Sequence, residues 1–145
     1  MLRISTRGRY ALRALVDIGR NQDERPVLRD GIARRQEISA NYAAQILRLL
    51  VSEGLVESIK GPGGGYRLAR PPEEIRASDV LRAIEGPFAL VHCVLEDDET
   101  PCSRTETCVT HRLWAKLSTQ IEETLDGVTV KDLMDESESL DPTGG

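Results

Sequence analysis

The 145-residue sequence is poor in aromatic residues, with one Trp, three Tyr and one Phe, and rich in charge, with 30% Asp, Glu, Lys and Arg. That balance suits a soluble, helix-rich protein. No apolar run approaches the ~20 residues needed to span a bilayer. The stretch MLRISTRGRYALRALVDIG is basic. Its apolar residues are broken by arginines and no small-residue cleavage site follows, so a secretory signal is not expected. The expected setting is the cytoplasm, with no membrane partner and with thiols kept reduced. There is no C-x-x-C, and nothing resembling an acid–base pair beside a pocket-forming glycine turn. Both gaps argue against an enzyme and against a small-molecule substrate. The glycine-rich KGPGGG departs from G-x-x-x-x-G-K-[ST], and no helix starts right after it, which rejects a nucleotide site. Cysteine is scarce too: the three that exist all lie within CVLEDDETPCSRTETCVTH, residues 93–111.

The net charge of −5 is unevenly spread. Residues 1–76 hold 14 Lys/Arg and 9 Asp/Glu, a net of +5, whereas residues 77–145 hold 5 and 15, a net of −10. A basic front with an acidic back points to a polyanionic partner for the front alone.

Periodicity predicts a helix over about 6–20, with Tyr10, Ala11, Ala14, Leu15 and Ile18 on its buried stripe. A second helix is expected over about 28–36, with Leu28, Ile32 and Ala33 inward. After the tight connection EIS, Ser39 suits the N-cap of a third helix that stops at Gly54. Its apolar face holds Ala43, Ile46, Leu47 and Leu50. Asn41, Gln45 and Arg48, at i, i+4 and i+7, form a polar stripe. Two short helices across a tight turn are the helix-turn-helix pattern, whose second helix meets base edges in the major groove of double-stranded DNA. Gln suits adenine and Arg suits guanine. The bland alternative is an ordinary amphipathic helix with a wet face. LVESI, KGPGGG and YRLAR then read as strand, turn and strand. Gly63, Gly64 and Gly65 form a tip that can approach a backbone closely. Lys60, Arg67 and Arg70 flank it, as expected of a phosphate-contacting wing.

In the back half, Ser78 is expected to cap a short helix, DVLRAIEG. A loop runs to about residue 107, and a long helix follows from Cys108 to Gly127. Leu113, Leu117, Ile121 and Leu125 make an apolar stripe on it, with Val109 and Trp114 beside them. That stripe either packs on its own N-terminal unit or pairs with a second copy, and a two-fold dimer would read a pseudo-palindrome. The fold class is thus mainly α with a small β-wing. It divides into a winged helix-turn-helix domain (1–76), a linker helix and cysteine loop (77–106), a dimerisation helix with a short C-terminal helix (107–135) and a disordered tail (136–145).

The cysteine spacing is C-x8-C-x5-C-x2-H. Cys108 and His111, at i and i+3, share a helix face, and a loop carrying Cys93 and Cys102 can fold back to them. Thiolates at this density select zinc or an iron–sulfur cluster. Buried filler, a disulfide and a plain surface histidine are the competing readings.

Three segments, STRGRYAL, GPGGGYRL and the cysteine triad followed by HRLW, together resemble the IscR-type family of winged-helix transcription regulators, which includes NsrR and CymR. The similarity covers about residues 1–135. It implies a homodimer on pseudo-palindromic promoter DNA. It further implies an iron–sulfur cluster, [2Fe–2S] before [4Fe–4S], that senses redox state, cluster status or nitric oxide. By that resemblance Cys93, Cys102, Cys108 and His111 are the ligands. Ser39, Asn41, Gln45, Lys60 and the wing glycines match positions where the family touches DNA. Two departures stand out. The eight residues between Cys93 and Cys102 make a longer loop than the type member's, which brings His92 in as a further candidate ligand. Ala44 also replaces a glutamate that limits the sequences the type member accepts. A structural zinc protein without redox switching is the alternative.

Overall fold

The computed structural model describes residues 2–95, 99 and 102–142. Most of the acidic run EDDETP, expected as loop, lies outside the described residues, as do positions 143–145 of the tail. Helices α1 (Thr6–Asn21), α2 (Arg29–Gln36) and α3 (Ala40–Ser52) lead into strands β1 (Val56–Ile59) and β2 (Gly65–Leu68). Helices α4 (Ala77–Glu85), α5 (Val109–Asp126) and α6 (Val130–Leu140) follow. This is a winged helix-turn-helix with added helices.

Local chemistry sets the boundaries. Ser5 and Ser39 accept the backbone N–H of Gly8 and Tyr42, each at 3.0 Å, and so open α1 and α3. Glu37, at φ 57°, turns the chain between α2 and α3, its N–H closing on Arg34. The strands pair antiparallel, Val56 opposite Leu68 and Ile59 opposite Gly65. Val27 adds an isolated antiparallel bridge to β2 through two 2.8 Å bonds with Tyr66. Gln22 Oε1 accepts the N–H of Leu68, tying the wing to α1.

The core gathers Leu15 and Ile18 of α1, Ile32 of α2, Ile46, Leu47 and Leu50 of α3, and Val56 and Leu68 of the wing. Each such side chain contributes about 1.5–3 kcal/mol by leaving water. Ile75, Val80 and Val130 complete the same cluster. The back half therefore closes the core of the front: α6 lies along α1, and Val130 N–H bonds Ile75 O at 2.8 Å.

Three expectations need correction. Leu28 does not turn inward. It is the N-cap residue of α2, with extended backbone, and is 65% exposed. Ser78 does not cap α4, which starts one residue earlier. Asp79 accepts the N–H of Arg76 there, while Ser78 is fully buried and donates to Asp126. Residues 136–140 are not a disordered tail but continue α6 to Leu140. Thr129 and Asp132 cap that helix reciprocally, and Arg20 holds its far end through Ser137 Oγ and Asp141 O.

Candidate functional site

The candidate recognition face stands on α3. Ala43, Ile46, Leu47 and Leu50 are buried, which turns Asn41, Gln45 and Arg48 to solvent along one side. The first and last of these are about 10 Å apart along the axis at 1.5 Å rise per residue. Ser39 is exposed; its oxygen is engaged by Tyr42 N–H, and its own proton stays available to a phosphate. Ala44 is half-buried beside this face.

Two braces from α1 fix α3 and the turn before it. The Tyr10 ring meets Tyr42 edge-on at 5.7 Å, with the Arg13 guanidinium 4.8 Å from the Tyr10 centroid. Arg13 also donates to Gln36 Oε1 at 2.8 Å and to its carbonyl at 3.3 Å. Gln36 in turn donates to Asp17, which is 3% exposed and grips Arg35 through both oxygens at 2.7 and 2.9 Å. That bond raises the Arg35 pKa above its ordinary value. Sequence reasoning missed this network. Its trace is a charge, Asp17, in phase with the buried stripe of α1.

On the wing, Lys60 and Arg70 are exposed and Arg67 half-buried. Gly63 lies at the tip, in the open. Gly64 and Gly65 serve the wing itself: a Cβ on Gly64 would strike the Ile59 carbonyl, and one on Gly65 would come within 2.6 Å of Val27 O. Here close backbone approach, not a loose tip, calls for glycine.

The cysteine region lies beyond α4. Cys93 is half-buried in a short 3₁₀ turn, His92–Val94, and its Sγ is 3.3 Å from Nδ1 of His111 on α5. His92 itself is exposed. Cys108 is the N-cap residue of α5, 3.1 Å from the Thr110 hydroxyl. That hydroxyl and the His111 N–H lower its pKa from the ordinary thiol value. Cys102 is exposed, its carbonyl accepting from Thr105. All three thiols are free. The structure thus brings Cys93 and His111 together and leaves Cys102 and Cys108 outside that pair. Among the described residues no three His, Cys, Asp or Glu converge as metal ligands. By chemistry, three soft thiols and an imidazole still suit an iron–sulfur centre or zinc.

Among the described residues no helix is long and apolar enough to cross a membrane. Residues 4–136 match the Rrf2 family, described as iron-dependent transcriptional regulators. The chain is 36% identical over 137 residues to the HTH-type transcriptional regulator IscR of Aliivibrio salmonicida, covering 94% of this chain and 80% of that one. It is 34% identical over 143 residues to the IscR of Escherichia coli, covering 99% and 86%. Among solved structures it superposes on CymR, the global cysteine regulator of B. subtilis, with a TM-score of 0.75 at 35% identity over 94% and 98% of the two chains. T. potens IscR gives 0.76 at 35% identity over 97% and 91%.

Proposed function

Because this chain belongs to the Rrf2 family of transcriptional regulators, we propose that it acts as a homodimer on pseudo-palindromic promoter DNA, governed by an iron–sulfur cluster on Cys93, Cys102, Cys108 and His111. It is a regulator rather than an enzyme, as its relatives are. Asn41, Gln45 and Arg48 supply base readout. Ser39, Lys60, Arg67 and the wing tip around Gly63 supply backbone contacts.

The observation that carries the regulatory reading is the 3.3 Å contact between Cys93 Sγ and His111 Nδ1. It joins the loop after α4 to α5, with two further thiols on the same stretch of chain. When bound, the cluster supplies a redox-active link between that loop and α5. The chain's own residues do the rest: Cys93 is presented on a turn, and His111 is held one helical turn beyond Cys108.

Dimerisation is supported by the apolar stripe of α5. Val109 is 80% and Leu113 53% exposed, and Leu117, Ile121 and Leu125 are only half-buried. A second copy of the stripe covers these side chains and sets two recognition helices on successive major grooves, about 34–36 Å apart.

The deciding experiment is anaerobic purification, with the visible spectrum recorded and iron and acid-labile sulfide counted per chain. Coloured bands with about two of each are expected for [2Fe–2S], and about four of each would assign [4Fe–4S]. Colourless protein with one zinc would remove the redox switch and leave DNA binding to the winged unit.

A further inference from the structure

Helix α4 lies between α1 and α5. At its start Ser78, fully buried, donates to Asp126 of α5. One turn on, Arg82 Nη2 donates to Glu122 Oε1 at 2.5 Å. At its end Glu85 Oε1 accepts the backbone N–H of Ser5, also at 2.5 Å. Ser5 is the residue that caps α1. Gly8, buried in the first turn of α1, faces the same carboxylate: a Cβ there would stand 2.6 Å from Glu85 Oε1. The glycine of STRGRYAL, which neither DNA contact nor cysteine chemistry uses, clears the space in which Glu85 holds α1.

Both ends of this clasp lead to function. Beyond Ser5 and Gly8, the same helix braces the recognition unit through Tyr10 on Tyr42 and Arg13 on Gln36. Beyond Glu85, the chain leaves α4 at Gly86 and reaches Cys93 seven residues later. The helix that carries His111 is tied to α4 by Ser78 and Arg82.

We propose that Glu85 is the positioning residue that couples the cysteine site to the recognition helix, by clasping the first turn of α1 to the end of α4. The proposal rests on the regulatory reading above. Its logic is mechanical. The cysteine site reaches α4 by two routes, the covalent segment 86–92 and the polar contacts along α5. Val80 joins the two helices in the core, and the Glu85–Ser5 bond is the polar contact that carries a displacement of the end of α4 to the first turn of α1. Ser5 and Glu85 are both exposed, and Val80 still joins α4 to the core, so loss of their bond spares the fold.

The test compares promoter affinity, cluster-loaded against cluster-free, for wild type, Glu85→Ala, Glu85→Gln and Gly8→Ala. A wild-type ratio of about 5–150-fold is the usual range of such coupling. Glu85→Ala is expected to lower the ratio about three- to tenfold, with cluster content unchanged and the fold retained. Glu85→Gln keeps an accepting oxygen and retains most of the ratio. Gly8→Ala displaces the carboxylate from the opposite side and lowers the ratio as Glu85→Ala does. In cluster-free protein, amide exchange at Ser5 and the turn after it rises in Glu85→Ala but not in Glu85→Gln. A wild-type effect preserved in both Glu85→Ala and Gly8→Ala overturns this proposal alone. A wild-type ratio of unity overturns the regulatory reading, and the proposal with it.

Discussion

Asp17 is a carboxylate among apolar neighbours, and its three hydrogen bonds account for its place. Arg35 and Gln36 reach it from the end of α2, so the helix that precedes the recognition turn is locked to α1 by charge as well as by packing. Removing one partner of such a pair leaves the other uncompensated, at a cost of roughly 3–5 kcal/mol. Arg35 keeps some access to water, which places Asp17→Ala near the lower end, about 3 kcal/mol. Asp17→Asn should lose less, since an amide oxygen still receives Gln36. Urea unfolding of the two variants checks the order, and equal midpoints for Asp17→Ala and wild type would refute the role. This network was hard to read from sequence because its three members come from two helices. Only Asp17, out of phase with its own chemistry, hinted at it. Ser39 was legible, since a cap acts within three residues. Ser78 was not: its partner, Asp126, is 48 residues away.

At the scale of elements, the helices with clear stripes fell where periodicity put them. The faces of α1 and α3 are buried as their spacing requires, except that Tyr10 is only partly covered, and Gly54 ends the third helix in a positive-φ turn. Where the pattern was short, position outweighed composition. Leu28 is apolar yet sits on a cap, and Glu136 and Glu138 are helical because the N-terminal caps and the grip of Arg20 on Ser137 favour it. The cysteine spacing revealed the donor types but paired His111 with Cys108, whereas Cys108 is the N-cap residue of α5 and His111 meets Cys93 instead. Which thiol the loop brings to His111 has no periodic signature, and the extended backbone of an N-cap takes Cys108 off the helix face. Helix α5 gives the sharpest element-scale prediction. Leu113 is largely exposed within its own chain, so Leu113→Glu should leave the circular dichroism of the protein unchanged. Placing like charges across a subunit contact should raise the dimer dissociation constant by at least about a hundredfold, equivalent to ~3 kcal/mol. Sedimentation velocity reads that directly; an undiminished dimer would send the stripe back to intramolecular packing.

Across the whole molecule, charge is sorted along the chain: the front, proposed to read DNA, is basic, and the back, which carries the cysteine loop and α5, is acidic. Repulsion between the back and the phosphate backbone favours binding in one orientation. With Arg48, Lys60 and Arg67 on phosphates or bases in each of two protomers, log affinity should fall with log salt at a slope of about −5. Lys60→Ala should reduce that slope by about 2, one for each protomer, and weaken all sequences alike. Fluorescence anisotropy across a salt series measures both; a slope insensitive to Lys60 would remove the wing from the contact. The closing of the front core by Val130, with Arg20 held by Ser137 and Asp141, has a further consequence for folding of the chain. Contacts spanning more than 100 residues are among the slowest to form. Helix α1 keeps an open groove along its side until α6 docks there. A chain that lacks α6 therefore holds the residues of α3 on an unfinished frame, and the front core is complete only once α6 has docked on α1.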